Sequence, residues 1–350
     1  MRENPFTVIF GAQPRSYIPR DAEYMEILQV FESATPMTYG YVITGVRGCG
    51  KTVLLHEVEN ALAAKKDWYV LRLNPDMDLY ASALSQLGEH VHLRGEEITG
   101  ANVNIGGFGG GISKRSISDE ETLLRKMLQI VKNEGKRVLF AIDEVSNTQA
   151  IKTFSHSYQS FLGEGFPVFL LMTALPENFS ALSNSKNGTF MRRLPKIRLG
   201  GLNAYLVEAK YREIFDLSAE KAHALADIIC GYSYAFQLLG AILWEADKKE
   251  ADDEILIKLD AMLYDGAYRA IWDHLTEKER DVMLAIAQST TFKVKDIRES
   301  LQMESNQFSP YRDQLNECGL IDTTTYGKVG FTLPRFRGFL LRMQQYRTQD

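Results

Sequence analysis

Gly45-Val46-Arg47-Gly48-Cys49-Gly50-Lys51-Thr52 meets the pattern G-x-x-x-x-G-K-[ST] at every fixed position, which constrains this chain more than any other segment. Average residue usage would meet those positions by accident in about one chain in a hundred of this length. The flanks agree with the pattern. Tyr39 to Thr44 is apolar and β-branched enough for a buried strand, and Val53 to Ala64 continues with helical periodicity. Strand, glycine loop and helix in that order make an anion site: glycines let backbone amides converge on a polyphosphate, and the helix adds the positive end of its dipole. The expected nucleotide-binding set is Gly45, Val46, Arg47, Gly48, Cys49, Gly50, Lys51, Thr52 and Val53. Lys51 would neutralise the β and γ phosphates, and the Thr52 hydroxyl would ligate Mg²⁺, a hard cation that needs few protein ligands. The competing reading is a glycine turn before an ordinary helix.

A magnesium nucleotide also calls for carboxylates on a neighbouring strand. Arg137-Val138-Leu139-Phe140-Ala141-Ile142-Asp143-Glu144 supplies an apolar strand ending in two of them, with the form of a Walker B segment. Asp143 is the candidate Mg²⁺ partner, and Glu144 the candidate base for an attacking water. A third apolar run, Phe166 to Thr173, would bring the polar Thr173 beside the γ phosphate if the strands are parallel and adjacent. Thr173 is thus the sensor candidate; a threonine satisfying a strand-end backbone group is the alternative. Arg192 and Arg193 precede a last strand, Lys196 to Leu199, and either could act as a finger in the site of a neighbouring subunit. Two arginines capping a helix end would look the same.

These residues resemble the AAA+ superfamily, most closely the STAND and archaeal-type ATPases related to replication initiators. The resemblance spans nearly the whole chain. It implies that Tyr17-Ile18-Pro19-Arg20-Asp21-Ala22-Glu23 cups adenine, with Ile18 and Arg20 in contact, although Ile18-Pro19 stands where the family often has Val-Gly. It further implies a small helical lid, matched by apolar periodicity over Tyr205 to Phe215, Ala219 to Cys230 and Tyr234 to Ala246. Relatives carry a Gly-x-Pro element or a sensor arginine where this chain has Cys230-Gly231-Tyr232-Ser233-Tyr234. Neither is present here, and Tyr232 is left either to stack on adenine or to pack in the core.

From about Leu275 the pattern reads as a winged helix. Thr276 and Glu279 form a capping-box pair, Val294 to Leu301 a second helix, and Ser305 to Leu315 a recognition helix begun by a Ser305 cap. In that helix Pro310 would be tolerated only within the first turn. Leu320 to Leu333 gives two strand-like runs around Tyr326-Gly327-Lys328, a wing. Asn306, Gln307, Arg312, Lys328, Arg335 and Arg337 are the candidate contacts to double-stranded DNA. No acid stands between Asp322 and Asp350, whereas residues 200–274 carry seven basic and fourteen acidic residues, so any phosphate-binding strip is local. A winged helix that meets protein instead of DNA is the alternative.

The 350 residues, 45% hydrophobic with net charge −5, suit two or three domains and contain no apolar run of membrane-spanning length. The N-terminus lacks the organisation of a signal peptide, and cytoplasm is the expected location. Three cysteines without metal spacing exclude a fully paired disulfide framework. Gly106 to Gly111 sits in an insertion at about 95–118 and fits no second nucleotide motif. The expected architecture is α/β: a three-layer αβα P-loop domain with a parallel sheet (1–199), an α-helical lid (200–274) and a winged helix (275–350). The expected function is ATP hydrolysis with Mg²⁺, its nucleotide state moving lid and winged helix on DNA, with homo-oligomers completed by an arginine in trans. An ATP-gated signalling or defence scaffold that self-associates and holds an unidentified protein partner is the alternative. A kinase fits less well, because nothing resembles an acceptor site.

Overall fold

The computed structural model describes residues 3–9, 13–91, 117–185 and 189–347, and the glycine-rich run therefore lies outside the described residues. The chain divides into two compact units.

The sheet unit comprises residues 21–44 and 51–198. Its strands are β1 (Gly40–Thr44), β2 (Trp68–Leu73), β3 (Arg137–Ile142), β4 (Val168–Ala174) and β5 (Lys196–Arg198), all parallel, in the order β2-β3-β4-β1-β5. β1 and β4 are buried at every position, as expected for strands covered on both faces. Alternate residues separate the two faces. Val42, Val138, Phe140, Leu170 and Met172 join one apolar cluster with α3 (Leu79–Gly88), α4 (Ile117–Asn133) and α5 (Gln149–Gly163). Tyr41 and Phe169 point the other way and meet Phe31 of α1 (Asp21–Glu32). Helix α2 (Lys51–Ala63) buries Leu54, Leu55, Val58 and Leu62. The unit closes with α6 (Pro176–Ser183) and α7 (Thr189–Arg193). The three-layer parallel α/β expectation holds.

The helical unit comprises residues 3–20, 45–50 and 199–347 of the described chain. Helices α8 (Ala204–Phe215) and α9 (Ala219–Ile229) surround α10 (Ser233–Ala246), in which residues 235–243 are all buried. The N-terminal segment packs here, although the expected P-loop domain, 1–199, includes it. The reason is Phe6, which stacks on Phe215 and meets Phe236 edge-on. Gly240 leaves room for its ring, since a Cβ there would fall 2.2 Å from it. Gln237 fixes the same segment, accepting from Thr7 N–H at 2.9 Å and donating to the Ser16 carbonyl at 2.6 Å.

Helix α11 (Asp253–Leu263) leads through a five-residue π turn, Tyr264–Tyr268, into α12 (Arg269–His274). The sequence gives no signal for that turn. Gly266 lies within it because the Tyr234 hydroxyl would stand 2.2 Å from a Cβ at that position. Next come α13 (Glu277–Gln288), α14 (Val294–Ser300), α15 (Ser305–Glu317), an antiparallel pair β6 (Ile321–Asp322) and β7 (Gly330–Phe331), and α16 (Phe336–Arg347). Thr276 and Glu279 make both hydrogen bonds of a capping box. Two expectations about α15 are corrected. Its cap is Glu304, which pairs reciprocally with Gln307, and not Ser305; and the helix continues through Pro310 beyond its first turn. Among the described residues no helix is long and apolar enough to cross a membrane.

Candidate functional site

In the sheet unit the polar ends of two adjacent strands converge. β3 and β4 pair with Ile142 opposite Met172, so Asp143 and Thr173 follow side by side. Thr173 is fully buried, and its hydroxyl donates to Asp143 Oδ1 while accepting from the Glu144 amide at 2.8 Å. The Thr173 carbonyl accepts from Val145 N–H, also at 2.8 Å. These bonds hold Glu144 at φ 54°, a left-handed conformation costing a non-glycine residue roughly 1–2 kcal/mol, with its carboxylate exposed. Thr52, in the first turn of α2, donates from Oγ1 to Asp143 Oδ2 at 2.9 Å. Lys51, at the start of that helix, is buried. Lys51, Thr52 and Val53 open α2, and Thr52, Asp143, Glu144 and Thr173 are gathered into one hydrogen-bonded cluster.

Two turns along α2 stands a carboxylate that sequence reading missed. Glu59 is 2% exposed and accepts from Arg72 Nε of β2 at 2.7 Å. Burial pushes its pKa up against the opposing attraction of Arg72 and His56, and the nearby Asp143 charge adds to the rise. No motif announces this pair; only the pairing of β2 with β3 brings Arg72 across from α2.

The loop 45–50 belongs to the helical unit. Gly48 and Gly50 have φ of 77° and 97°, which L side chains rarely adopt. A Cβ on Gly48 would also fall 2.6 Å from the Tyr232 hydroxyl. Three consecutive carbonyls of the loop are each taken by a donor. Tyr232 Oη donates to Arg47 O at 2.6 Å, Tyr234 N–H to Gly48 O at 3.1 Å, and Ser233 Oγ to Cys49 O at 3.0 Å. Arg20 Nη2 adds a second bond to Cys49 O at 3.0 Å and one to Gly200 O at 2.9 Å. Tyr232 has its ring buried, stacked on Tyr268 with centroids 6.3 Å apart, and Ile18 is buried as well. Gly45, Val46, Gly48, Cys49 and Gly50 thus sit in a backbone cradle whose outer side is bonded, with the Arg47 side chain exposed. Ser233 and Tyr234 were not foreseen, because they stand more than 180 positions from the carbonyls they hold.

The other candidates lie apart from these clusters. Arg192 donates from Nε to the Ser183 carbonyl at 2.8 Å, and Arg193 is exposed beside it at the end of α7. Asn306 and Gln307 are exposed on α15, where Arg312 pairs with its neighbour Asp313 at 2.7 Å. Lys328 is exposed in the β6–β7 connection. Arg335 makes a two-pronged ion pair with the buried Asp260, and Arg337 donates to the Ala287 and Ser289 carbonyls.

A family described as Domain of unknown function (DUF8462) matches residues 265–340. No curated protein matches the chain. Among solved structures, the Walker-type ATPase PABY2304 of Pyrococcus abyssi superposes with a TM-score of 0.61 at 11% identity, over 93% of this chain and 96% of that one. The Aeropyrum pernix ORC2 protein, in ADPNP–ADP complexes, gives 0.59 at 12% identity over 98% of both chains. CDC6P from Pyrobaculum aerophilum gives 0.50 at 12% identity over 97% of both. At such identities the likeness establishes fold: the chain has the fold of AAA+ P-loop ATPases along nearly its whole length.

Proposed function

We propose that the chain binds ATP with Mg²⁺ and hydrolyses it, and that nucleotide state rearranges its lid and a C-terminal winged helix. The observation that carries this reading is the bonded cluster Thr52–Asp143–Thr173–Glu144 together with the intact motif at 45–52. The residues fit the ion and the nucleotide. A hydroxyl and a carboxylate already within hydrogen-bond distance form a hard-oxygen donor set suited to Mg²⁺, and the positive-φ glycines allow close approach of phosphate to backbone. Magnesium, when bound, supplies charge neutralisation on the phosphate oxygens. Thr52 and Asp143 would hold it, and Lys51 would hold the β and γ phosphates. Glu144, exposed and fixed by the Thr173 hydroxyl, would orient a water and accept its proton. An arginine from a second copy, Arg192 or Arg193, would stabilise the charge that develops.

On this reading the duplex meets α15 and the β6–β7 connection, through Asn306, Gln307, Arg312 and Lys328. A second reading, an ATP-gated scaffold whose C-terminal segment meets protein, is favoured by one observation. Arg335 and Arg337, two cations of the acid-free tail, are engaged with Asp260 and with carbonyls inside their own unit. The experiment is steady-state phosphate release with Mg-ATP, with and without duplex DNA, for wild type and Glu144→Gln. A Glu144-dependent rate that DNA raises, and that falls steeply with salt, supports the DNA-linked ATPase. ATP binding with a nucleotide-dependent change in mass and no response to DNA supports the scaffold. Phosphate transferred to an acceptor other than water would mark a kinase.

A further inference from the structure

Trans peptide geometry couples each carbonyl of the loop to the amide that follows it. In a trans unit the C=O and the following N–H point in opposite directions, so fixing a carbonyl on one side turns the next amide to the other. The loop has no cis bond. The carbonyls of Arg47, Gly48 and Cys49 are held by the Tyr232 hydroxyl, the Tyr234 N–H and the Ser233 hydroxyl. The amides that follow them belong to Gly48, Cys49 and Gly50. Cys49 N–H returns to the Val46 carbonyl at 3.3 Å, while the trans units turn the amides of Gly48 and Gly50 away from the groups that hold the preceding carbonyls. Each of the three carbonyls has a donor from one short run at the start of α10, and Arg20 adds a second bond at Cys49 O.

We propose that Tyr232, Ser233 and the Tyr234 N–H are positioning groups for nucleotide, a clamp on the loop's carbonyl side that keeps the Gly48 and Gly50 amides turned toward phosphate. This rests on the reading that the loop binds a nucleotide. Tyr232 is the central member. Its ring is fixed by stacking on Tyr268, whose own hydroxyl donates to the Pro334 carbonyl at 2.6 Å, and Tyr268 packs edge-on against Phe336. The ring that carries the Tyr232 hydroxyl is thus packed on a residue of the π turn that itself contacts the start of α16. Burial raises its pKa well above the ordinary value, so it remains a donor throughout the working pH range. The run occupies the place where the resemblance led one to expect a Gly-x-Pro element or an arginine. The clamp differs from a sensor arginine in that it touches the loop's backbone, and it works from behind.

The test is equilibrium binding of a fluorescent ADP analogue with Mg²⁺ to the full chain, alongside thermal melting of the nucleotide-free protein. Tyr232→Phe removes one hydroxyl and keeps the ring; Ser233→Ala is the second variant. Tyr211→Phe is the control, a fully buried hydroxyl that donates to Phe236 O in the same unit and does not touch the loop. We expect Tyr232→Phe to weaken binding about tenfold and Ser233→Ala severalfold, while Tyr211→Phe lowers the melting temperature comparably and leaves affinity unchanged. Wild-type affinity in Tyr232→Phe, or an equal loss in Tyr211→Phe, overturns the clamp. If wild type itself shows no saturable binding that Lys51→Ala abolishes, the nucleotide reading fails and the clamp falls with it.

Discussion

The two units order their polar groups in opposite ways. In the sheet unit, parallel pairing of β3 with β4 puts Asp143, Glu144 and Thr173 at neighbouring strand ends, so the backbone ladder brings them together. In the helical unit the loop is held by side chains and one amide from α10, across a sequence separation of 185 positions for Tyr232. The first arrangement is a consequence of fold topology, since strand pairing sets which residues meet at the strand ends. The second depends on particular side chains at particular places, and a relative with the same fold need not have it. Strand-end changes should therefore be felt in turnover, and helix-start changes in affinity.

The largest effect is expected at Glu144. Glu144→Gln keeps the size of the side chain and the amide bonded to Thr173 but removes the base, and phosphate release should fall by about 10² to 10⁴ with nucleotide affinity retained. Single-turnover kinetics beside equilibrium binding would check it; equal losses in both would mean that the strand end serves binding and the contrast between the two units is wrong. Thr173→Val is the sharper probe, because valine has nearly the shape of threonine. It leaves the Glu144 N–H and one Asp143 oxygen without their partner, and stability should drop by about 1–3 kcal/mol with turnover down on the order of tenfold. Thr173→Ser should restore most of both. Failure of serine to rescue turnover would show that the methyl group's packing, not the hydroxyl, holds Glu144 in its left-handed conformation.

Much of the sheet unit was legible because its signals are local. Trp68 to Leu73 and Arg137 to Ile142 are apolar runs of strand length, and each is a strand in the structure. Thr173 was singled out on the condition that its strand be parallel and adjacent, and β4 is parallel to and pairs with both β1 and β3. The periodicity of α8 to α10 was equally readable. What could not be read were contacts that depend on tertiary placement. Phe6 falls within residues 1–199, expected to form the sheet domain, and only Gly240 on a buried helix shows where its ring goes. Glu59 and Arg72 have no spacing rule that joins them. Arg335 looked like a free basic residue in an acid-free tail, because Asp260, its partner, is 75 positions upstream.

That pair tests the helical unit's dependence on particular side chains at a smaller scale. Asp260 is buried, while about a third of the Arg335 side chain is exposed, so solvent screening discounts the interaction. Asp260→Asn should cost about 1–2 kcal/mol, less than the loss of one partner from a fully buried pair. Chemical denaturation read at a probe in α16 checks the value. A cost near zero would mean that packing of Tyr268, Phe336 and Phe339 alone holds α16 against the π turn.

The smallest effect concerns Glu59 and is best seen as a slope. Burial is the leading cause of its raised pKa, with the Arg72 attraction only partly offsetting it. A folded-state value above the unfolded one means that the native state binds the proton more tightly. The stability contributed by this group is therefore fully present below its ordinary value of 4.5 and is lost as pH rises through the higher folded value. Glu59→Gln removes that titration while keeping a side chain able to accept from Arg72. Melting temperatures of the two proteins, measured from pH 4.5 toward neutrality, should diverge in the variant's favour as pH rises. A flat difference would place the proton affinity of Glu59 at its solution value. A difference of the opposite sign would mean that Arg72 outweighs burial, making Glu59 a charge the sheet unit stabilises beside Asp143.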